Sequence, residues 1–185
     1  MTPSKRLMDL GLALILAVVL ILPIAIIAVW ILLRDGRPVF YPSERMKGVN
    51  QPFTLWKFRT MRSDRNDTGV SGGYKSARIT RTGRALRGKR LDELPQLYNI
   101  LKGDMSFVGP RPVVRLEMHK YGIHRPIYTS VKPGVTGLWQ VSGRNDISYE
   151  ERVQLDVDYV KSMTFMFDLG LMLKTVQVVV VPTGK

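Results

Sequence analysis

A long apolar segment near the start of the chain is the clearest feature of its hydrophobic pattern. Leu10–Leu33 contains no charged side chain. At about 1.5 Å per residue, a helix of this length crosses a hydrocarbon core of roughly 30 Å. Pro23 lies near the middle, where it removes one backbone hydrogen bond and predicts a bend. The pattern therefore predicts one membrane helix with a kink.

Basic residues flank this segment on both sides. Lys5 and Arg6 precede it, and Arg34 and Arg37 follow it. The positive-inside rule therefore gives no orientation. A helix that bends at Pro23 and returns to the same membrane face satisfies both flanks, whereas a kinked spanning helix is the commoner structure. The residues by themselves leave both arrangements open.

The rest of the chain alternates short apolar runs with Gly- and Pro-rich breaks. Two aromatic-rich runs, Val39–Tyr41 and Phe53–Phe58, predict a small β-hairpin. Apolar residues at helical spacing predict a helix over residues 92–102. Ser148–Lys161 begins with a capping-box pattern and predicts a second helix. Asp168–Val181 predicts an apolar helix, either in the core or at a bilayer interface.

These elements predict a mainly α fold with a small β-hairpin (α+β). The chain of 185 residues is long enough for one domain plus a membrane element. We expect the membrane element to occupy residues 1–34 and the domain to occupy residues 35–185.

Positive charge is concentrated in the first half of the domain. The formal net charge is +13, and residues 34–115 hold eighteen Lys and Arg against seven Asp and Glu. Such a surface faces an anionic partner: lipid headgroups, phosphorylated substrates or nucleic acid. The chain has no cysteine and two histidines, which excludes disulfides and thiolate metal sites and argues against zinc.

One carboxylate pair stands inside this basic region. Asp92 and Glu93 are the only acids between residues 68 and 103. Nearby cations lower carboxylate pKa values, and an ionised carboxylate in a phosphate-binding field serves as a nucleophile or a metal ligand. Arginines in the glycine-containing loops downstream, Arg111 and Arg144, suit phosphate binding. The alternative is structural, with Asp92 as the N-cap of the following helix.

The segment around this pair resembles the signature of bacterial monotopic phosphoglycosyl transferases. That signature extends from Arg90 to Pro112 in this chain. Four further stretches agree with the same family: Lys57–Met61, Ile79–Arg87, Pro133–Asn145 and Asp156–Asp168. The resemblance covers nearly the whole chain, and the long signature is highly specific.

The resemblance implies a two-step transfer of sugar 1-phosphate from a UDP-sugar to undecaprenyl phosphate. Asp92 would attack the β-phosphate, release UMP and hold the phosphosugar covalently. Mg²⁺ would bind at Asp92 and Glu93, and Glu93 would orient the metal or help to deprotonate the acceptor. By motif match, the phosphate contacts would be Arg87, Arg111 and Arg144, with Lys57 and Arg59 as weaker candidates.

The resemblance also implies a location. Family members carry a re-entrant helix with both ends in the cytoplasm, so the protein would be monotopic in the inner membrane and contact lipid, without binding nucleic acid. The family often bends this helix at Ser-Pro, whereas this chain has Leu22-Pro23. Pro23 alone must then set the bend, which leaves its angle undetermined.

Two other functions compete with this one. The arginines at positions 78, 81, 84 and 87 form a basic stripe on a helix, as in a membrane-tethered protein that binds anionic lipid or nucleic acid without catalysis. An ordinary glycosyltransferase with the same donor would release UDP instead of UMP. The sequence does not identify the sugar, for which galactose or glucose is our first expectation, or the oligomeric state.

Overall fold

The computed structural model describes residues 2–62, 73–142 and 147–180. The α-helices are α1 (Pro3–Asp35), α2 (Arg81–Gly88), α3 (Gln96–Lys102), α4 (Arg125–Thr129), α5 (Leu138–Ser142), α6 (Tyr149–Ser162) and α7 (Phe165–Val180). The strands are β1 (Phe40–Gly48), β2 (Gln51–Phe58), β3 (Ser106–Val108) and β4 (Gly134–Thr136). Short 3₁₀ helices cover Gly73–Arg78, Leu91–Glu93 and Arg115–His124. The prediction of a mainly α fold with a small β-hairpin is confirmed.

The β-hairpin is longer than the sequence indicated. Strands β1 and β2 pair antiparallel, with Tyr41 opposite Lys57 and Arg45 opposite Phe53. The prediction that the first run stops at Tyr41 was wrong, because β1 continues to Gly48 and the connection is only two residues long. Pro42 is tolerated because β1 is an edge strand, where a missing N–H leaves no neighbour unpaired.

The helix predicted over residues 92–102 is divided in two. A 3₁₀ turn, Leu91–Glu93, precedes α3, and Pro95 occupies the N-cap position of α3. Pro95 has no N–H to donate to the Leu91 carbonyl, so regular α hydrogen bonding cannot pass through it. The helix ends as predicted at Gly103, which has φ of 89°.

A small parallel sheet was not predicted. Strand β3 pairs with β4, placing Ser106 beside Gly134 and Val108 beside Thr136. Each strand has three residues, which is too short for a period-2 pattern to be recognised. This pairing brings together two loops that lie far apart in the sequence.

Helix α1 packs one stripe of side chains on the domain and exposes the rest. Ala13 belongs to a core cluster with β2 and α3, and Ile27 and Ile31 to another with β2 and α2. On the other side, large apolar side chains around Pro23 are exposed, including Val18 and Leu22. Among the described residues, α1 alone is long and apolar enough to cross a membrane.

Both ends of α1 are bonded to the same domain. At its start, the Arg6 guanidinium donates to the carbonyls of Ile100 and Leu101, at 2.7 and 3.0 Å. At its end, Asp35 accepts a hydrogen bond from the Thr80 hydroxyl at 2.9 Å. The domain therefore contacts α1 on both sides of its exposed apolar middle.

A buried ionic network secures the start of α1 to the C-terminal helices. The Lys5 ammonium pairs with the Asp168 carboxylate and donates to the Val108 carbonyl at 3.0 Å. The Tyr159 hydroxyl donates to the same carboxylate at 2.8 Å. Asp168 is thus an interior residue of α7, so the predicted start of that helix was three residues too late.

The two C-terminal helices differ in how closely sequence and structure agree. Helix α6 has the predicted capping box, in which Ser148 and Glu151 exchange side-chain-to-backbone hydrogen bonds. Helix α7 buries Asp168 and Leu171 but exposes a row of apolar side chains. That row consists of Phe165, Met166, Leu169, Leu173 and Val176.

The buried network gives a stability prediction. Asp168→Asn leaves the Lys5 ammonium buried without its anion, so we expect a loss of about 3 kcal/mol in the free energy of unfolding. Thermal melts of the detergent-solubilised protein should show a clearly lower midpoint. Glu44→Gln is the matched control, because Glu44 pairs with Arg115 on the exposed surface, at 4.0 Å, where ion pairs contribute little. Equal midpoints for the two variants would contradict the structural importance of the network.

Candidate active site

A tight 3₁₀ turn places the carboxylate pair. Arg90 enters the turn with φ of 54°, the left-handed conformation, and reverses the chain after α2. Asp92 is then directed inward and is 7% exposed. No side chain caps α3, whose N-cap is Pro95, so the interpretation of Asp92 as a helix cap is wrong.

Glu93 is held by an ion pair from the β-hairpin. The Lys57 ammonium, on β2, lies 2.7 Å from the Glu93 carboxylate. Burial alone would raise the pKa of Glu93, but the charges of Lys57 and Arg111 outweigh it and lower that pKa to about 2. Glu93 therefore stays ionised throughout the physiological range, as the sequence predicted.

Asp92 departs from that prediction. Burial raises the pKa of Asp92 above its usual value, and the neighbouring charge of Glu93 adds to the rise. Lys57 and Arg87 oppose it without cancelling it. The expectation that cations would keep both carboxylates at low pKa was thus wrong for Asp92, because its burial outweighs the lowering by the neighbouring cations. Two adjacent carboxylates whose pKa values are shifted in opposite directions are suited to different chemical roles.

Close packing of α2 brings Arg87 towards Asp92. Thr80 caps α2 by accepting from the Gly83 N–H at 2.9 Å. A β-carbon at Gly83 would lie 2.1 Å from the Thr60 carbonyl oxygen, so only glycine permits this approach. The Arg87 guanidinium donates to the Thr60 hydroxyl at 3.0 Å. Helix α2 and the segment after β2 thereby hold Arg87 near enough to Asp92 for its charge to lower the pKa of that carboxyl.

Arg111 lies in a rigid turn supported by the parallel sheet. The Gly109 N–H donates to the Thr136 carbonyl, and the Gly134 N–H donates to the Pro110 carbonyl, at 2.9 and 2.8 Å. A β-carbon at Gly134 would lie 2.1 Å from the Gly109 nitrogen. The Arg111 guanidinium lies 5.8 Å from the centre of the Trp139 ring.

A small cleft beside Glu93 collects positive charge. Among the described residues that line it are three cations, Arg45, Lys57 and Arg111, and one carboxylate, Glu93. Burial and then the charge of Arg111 lower the pKa of Arg45, consistent with crowded cations. Such a field suits a diphosphate, whose several negative charges are shared among guanidinium and ammonium groups.

Arg45 is a candidate that sequence reasoning missed. In the hairpin register, Arg45 and Lys57 fall on the same face, because Tyr41 pairs with Lys57 and side chains alternate along each strand. With β1 extended beyond Tyr41, counting every second residue from Tyr41 would have placed Arg45 on the same face of the hairpin as Lys57. Because the predicted strand ended at Tyr41, Arg45 was not assigned to it.

Of the two remaining predicted contacts, only Arg59 is described by the structure, and it lies elsewhere. The Arg59 guanidinium donates to the carbonyls of Asp35 and Gly36 at 2.6 and 2.7 Å, and to that of Arg37 at 3.0 Å. Those bonds secure the end of α1 rather than pointing Arg59 to the carboxylate pair. Arg144 lies outside the described residues. The structure therefore brings Lys57 and Arg87 near Asp92, and Lys57 and Arg111 near Glu93.

Comparison with known proteins identifies the family of the chain. The model of the family described as bacterial sugar transferase matches residues 1–182. The chain belongs to that family. A sugar transferase of Bacillus subtilis, EpsL, whose activity is described as uncharacterized, is 42% identical over 97% of this chain and 89% of its own length.

Two longer members of the family carry more specific names. The UDP-galactose-lipid carrier transferase of Erwinia amylovora is 40% identical over 97% of this chain. The undecaprenyl-phosphate galactose phosphotransferase of Salmonella typhimurium is 43% identical over 79% of it. This chain spans 41% and 34% of the lengths of those two proteins.

The carboxylates of this bacterial sugar transferase fit one type of metal site. In the described parts of the chain, no group of three or more His, Cys, Asp or Glu is placed to hold an ion. Mg²⁺ is commonly held by one or two carboxylates together with substrate phosphates. Asp92 and ionised Glu93, beside a cationic cleft, match that arrangement and do not match a site made of protein ligands alone.

Proposed function

We propose that this protein transfers a sugar 1-phosphate from a UDP-sugar to undecaprenyl phosphate through a covalent intermediate on Asp92. The observation that carries the proposal is the difference between the environments of the two carboxylates. Asp92 is buried and its pKa is raised, whereas Glu93 is paired with Lys57 and its pKa is lowered. Family membership and the names of the Erwinia and Salmonella relatives support the donor and acceptor classes.

The first step exchanges one bond at phosphorus. A carboxylate oxygen of Asp92 attacks the β-phosphorus of the UDP-sugar, and the bond from that phosphorus to the α,β-bridging oxygen breaks. The bridging oxygen leaves with UMP and keeps the electron pair. A buried carboxylate lacks the water shell that weakens nucleophiles, which supports Asp92 in this step.

The second step restores the enzyme. A phosphate oxygen of undecaprenyl phosphate attacks the same phosphorus, and the acyl phosphate bond to Asp92 breaks. The products are undecaprenyl diphospho-sugar and the free carboxylate. Lys57, Arg87 and Arg111 balance the negative charge that accumulates at phosphorus in both steps. Mg²⁺, held by Asp92, Glu93 and the donor phosphates, would add charge neutralisation.

We place this site on the cytoplasmic face of the inner membrane, with α1 re-entrant. The two ends of α1 bond to one domain, through Arg6 and through Asp35, and one domain cannot occupy both sides of a bilayer. The exposed apolar middle around Pro23 then enters the leaflet and returns. The exposed apolar row of α7 lies at the interface. The product would begin assembly of an exopolysaccharide, capsule or other glycoconjugate.

The site assignment predicts which nucleotide is released. With Mg²⁺, undecaprenyl phosphate and a panel starting with UDP-galactose and UDP-glucose, we expect UMP from one donor. Asp92→Asn should lower turnover on the order of 10⁴-fold or more, as removal of a nucleophile does. Asp104→Asn is the matched control, because Asp104 is also buried and paired with a lysine, Lys47, at 2.6 Å. Release of UDP, or normal turnover by Asp92→Asn, would refute the mechanism.

The electrostatics predict a shift in pH dependence. The reaction needs Asp92 deprotonated, so kcat/KM falls as the pH drops through its pKa. Lys57 lowers that pKa, and its removal must raise it. We expect the acidic limb of the profile of Lys57→Ala to move to higher pH. Lys47→Ala is the control, because Lys47 lies on β1 and pairs with Asp104 instead of Glu93; it should leave the acidic limb in place. An unmoved limb in Lys57→Ala would contradict the assignment.

The re-entrant arrangement is testable because the chain has no cysteine. Single cysteines at Ser4 and Arg37, both exposed, flank the apolar segment. A membrane-impermeant maleimide should label both in inside-out vesicles and neither in intact spheroplasts. Labelling of the two positions from opposite faces would show that α1 spans the membrane.

A further inference from the structure

The Tyr128 hydroxyl is a buried junction between three backbone groups. It accepts a hydrogen bond from the Val113 N–H at 3.2 Å. Its proton is shared between the carbonyl oxygens of Met46 and Arg111, each at 3.1 Å. Burial raises the pKa of Tyr128 far above the physiological range, so the hydroxyl remains a donor.

These three groups belong to the segments that carry two arginines of the cleft. Val113 and Arg111 flank Pro112 in the rigid turn, and Met46 directly follows Arg45 on β1. The Met46 N–H also donates to the Val113 carbonyl at 2.9 Å, so the turn is joined to the edge of β1. The Tyr128 hydroxyl completes that junction from a different element, α4.

Tyr121 provides an internal comparison. Its ring lies 4.5 Å from that of Tyr128, and the two side chains are equally buried, at 3% exposure. The Tyr121 hydroxyl donates to the Asp156 carboxylate at 2.7 Å. Removing either hydroxyl therefore disturbs the same aromatic cluster, but only Tyr128 bonds the arginine turn.

We propose that Tyr128 is a positioning residue that sets the separation of Arg45 and Arg111 for a diphosphate ligand. The inference rests on the proposed function, and it identifies how the donor's diphosphate is recognised. A hydroxyl that bonds both segments keeps two like-charged guanidinium groups at one spacing, against their mutual repulsion. Without it, the Met46–Val113 hydrogen bond remains but holds the turn to β1 less firmly, so the spacing of the arginines varies and a ligand that bridges both of them binds less tightly. A monophosphate, with one phosphoryl group, depends less on that spacing.

The test compares Tyr128→Phe with Tyr121→Phe in the full-length, detergent-solubilised protein. UDP and UMP serve as the probes, with Mg²⁺ present, and calorimetry gives both affinities. We expect the preference for UDP over UMP to fall about tenfold in Tyr128→Phe, the effect of losing one well-placed hydrogen bond. The preference should be unchanged in Tyr121→Phe, even where both variants melt at similar lower temperatures.

A double-mutant cycle separates positioning from general stability. In an Arg111→Ala background the turn has no guanidinium to place, so Tyr128→Phe should cause no further loss of UDP preference. Additive losses would mean that Tyr128 acts independently of Arg111 and would overturn the inference. The same conclusion follows from an unchanged preference in Tyr128→Phe, or from a wild-type protein that does not bind UDP more tightly than UMP.

Failure of the proposed transfer reaction would give a different result from failure of the role proposed for Tyr128. A wild-type protein that binds UDP with the expected preference but forms no UMP from any donor would refute the transfer reaction and leave the role of Tyr128 measurable. Turnover adds an independent check in an active protein: Tyr128→Phe should raise KM for the donor more than it lowers kcat, because the reacting carboxylate is not displaced.

Discussion

The Lys57–Glu93 ion pair is the interaction on which the candidate active site depends. At 2.7 Å it joins the β-hairpin to the turn that carries both carboxylates. Burial raises the pKa of Asp92 although Lys57 also lowers it, whereas Lys57 and Arg111 together lower the pKa of Glu93 to about 2. Two chemically similar side chains thereby differ in acidity, and such a difference suits them to different chemical roles.

Backbone contact positions the surrounding cations. Glycine permits two close approaches: Gly83 packs against the Thr60 backbone and Gly134 against Gly109. The first brings Arg87 near Asp92, and the second orders the turn of Arg111. Long arginine side chains have high conformational freedom, so a site for phosphate gains precision mainly from the rigidity of the main chain that carries them.

The same domain also organises the membrane helix. The buried Lys5–Asp168 pair and the Arg6 contacts hold the start of α1, while Arg59 and Thr80 hold its end. The proposed reaction joins a nucleotide sugar to a lipid phosphate and would require a site at the boundary of water and lipid. Fixing both ends of one apolar helix to the elements of the candidate site would hold the carboxylates at a defined distance from that boundary.

The sequence by itself determined the elements whose signals are local: the apolar helix, the capping box of Ser148, the stop at Gly103 and the isolation of the carboxylate pair among cations. The family followed from the long signature around Asp92. Only the tertiary structure decided the extent of β1, the pairing of β3 with β4, the positions of Arg45 and Arg59, and the opposite pKa shifts of Asp92 and Glu93. Each of these depends on which distant groups come into contact and how much water they exclude, and neither quantity is encoded by neighbours along the chain.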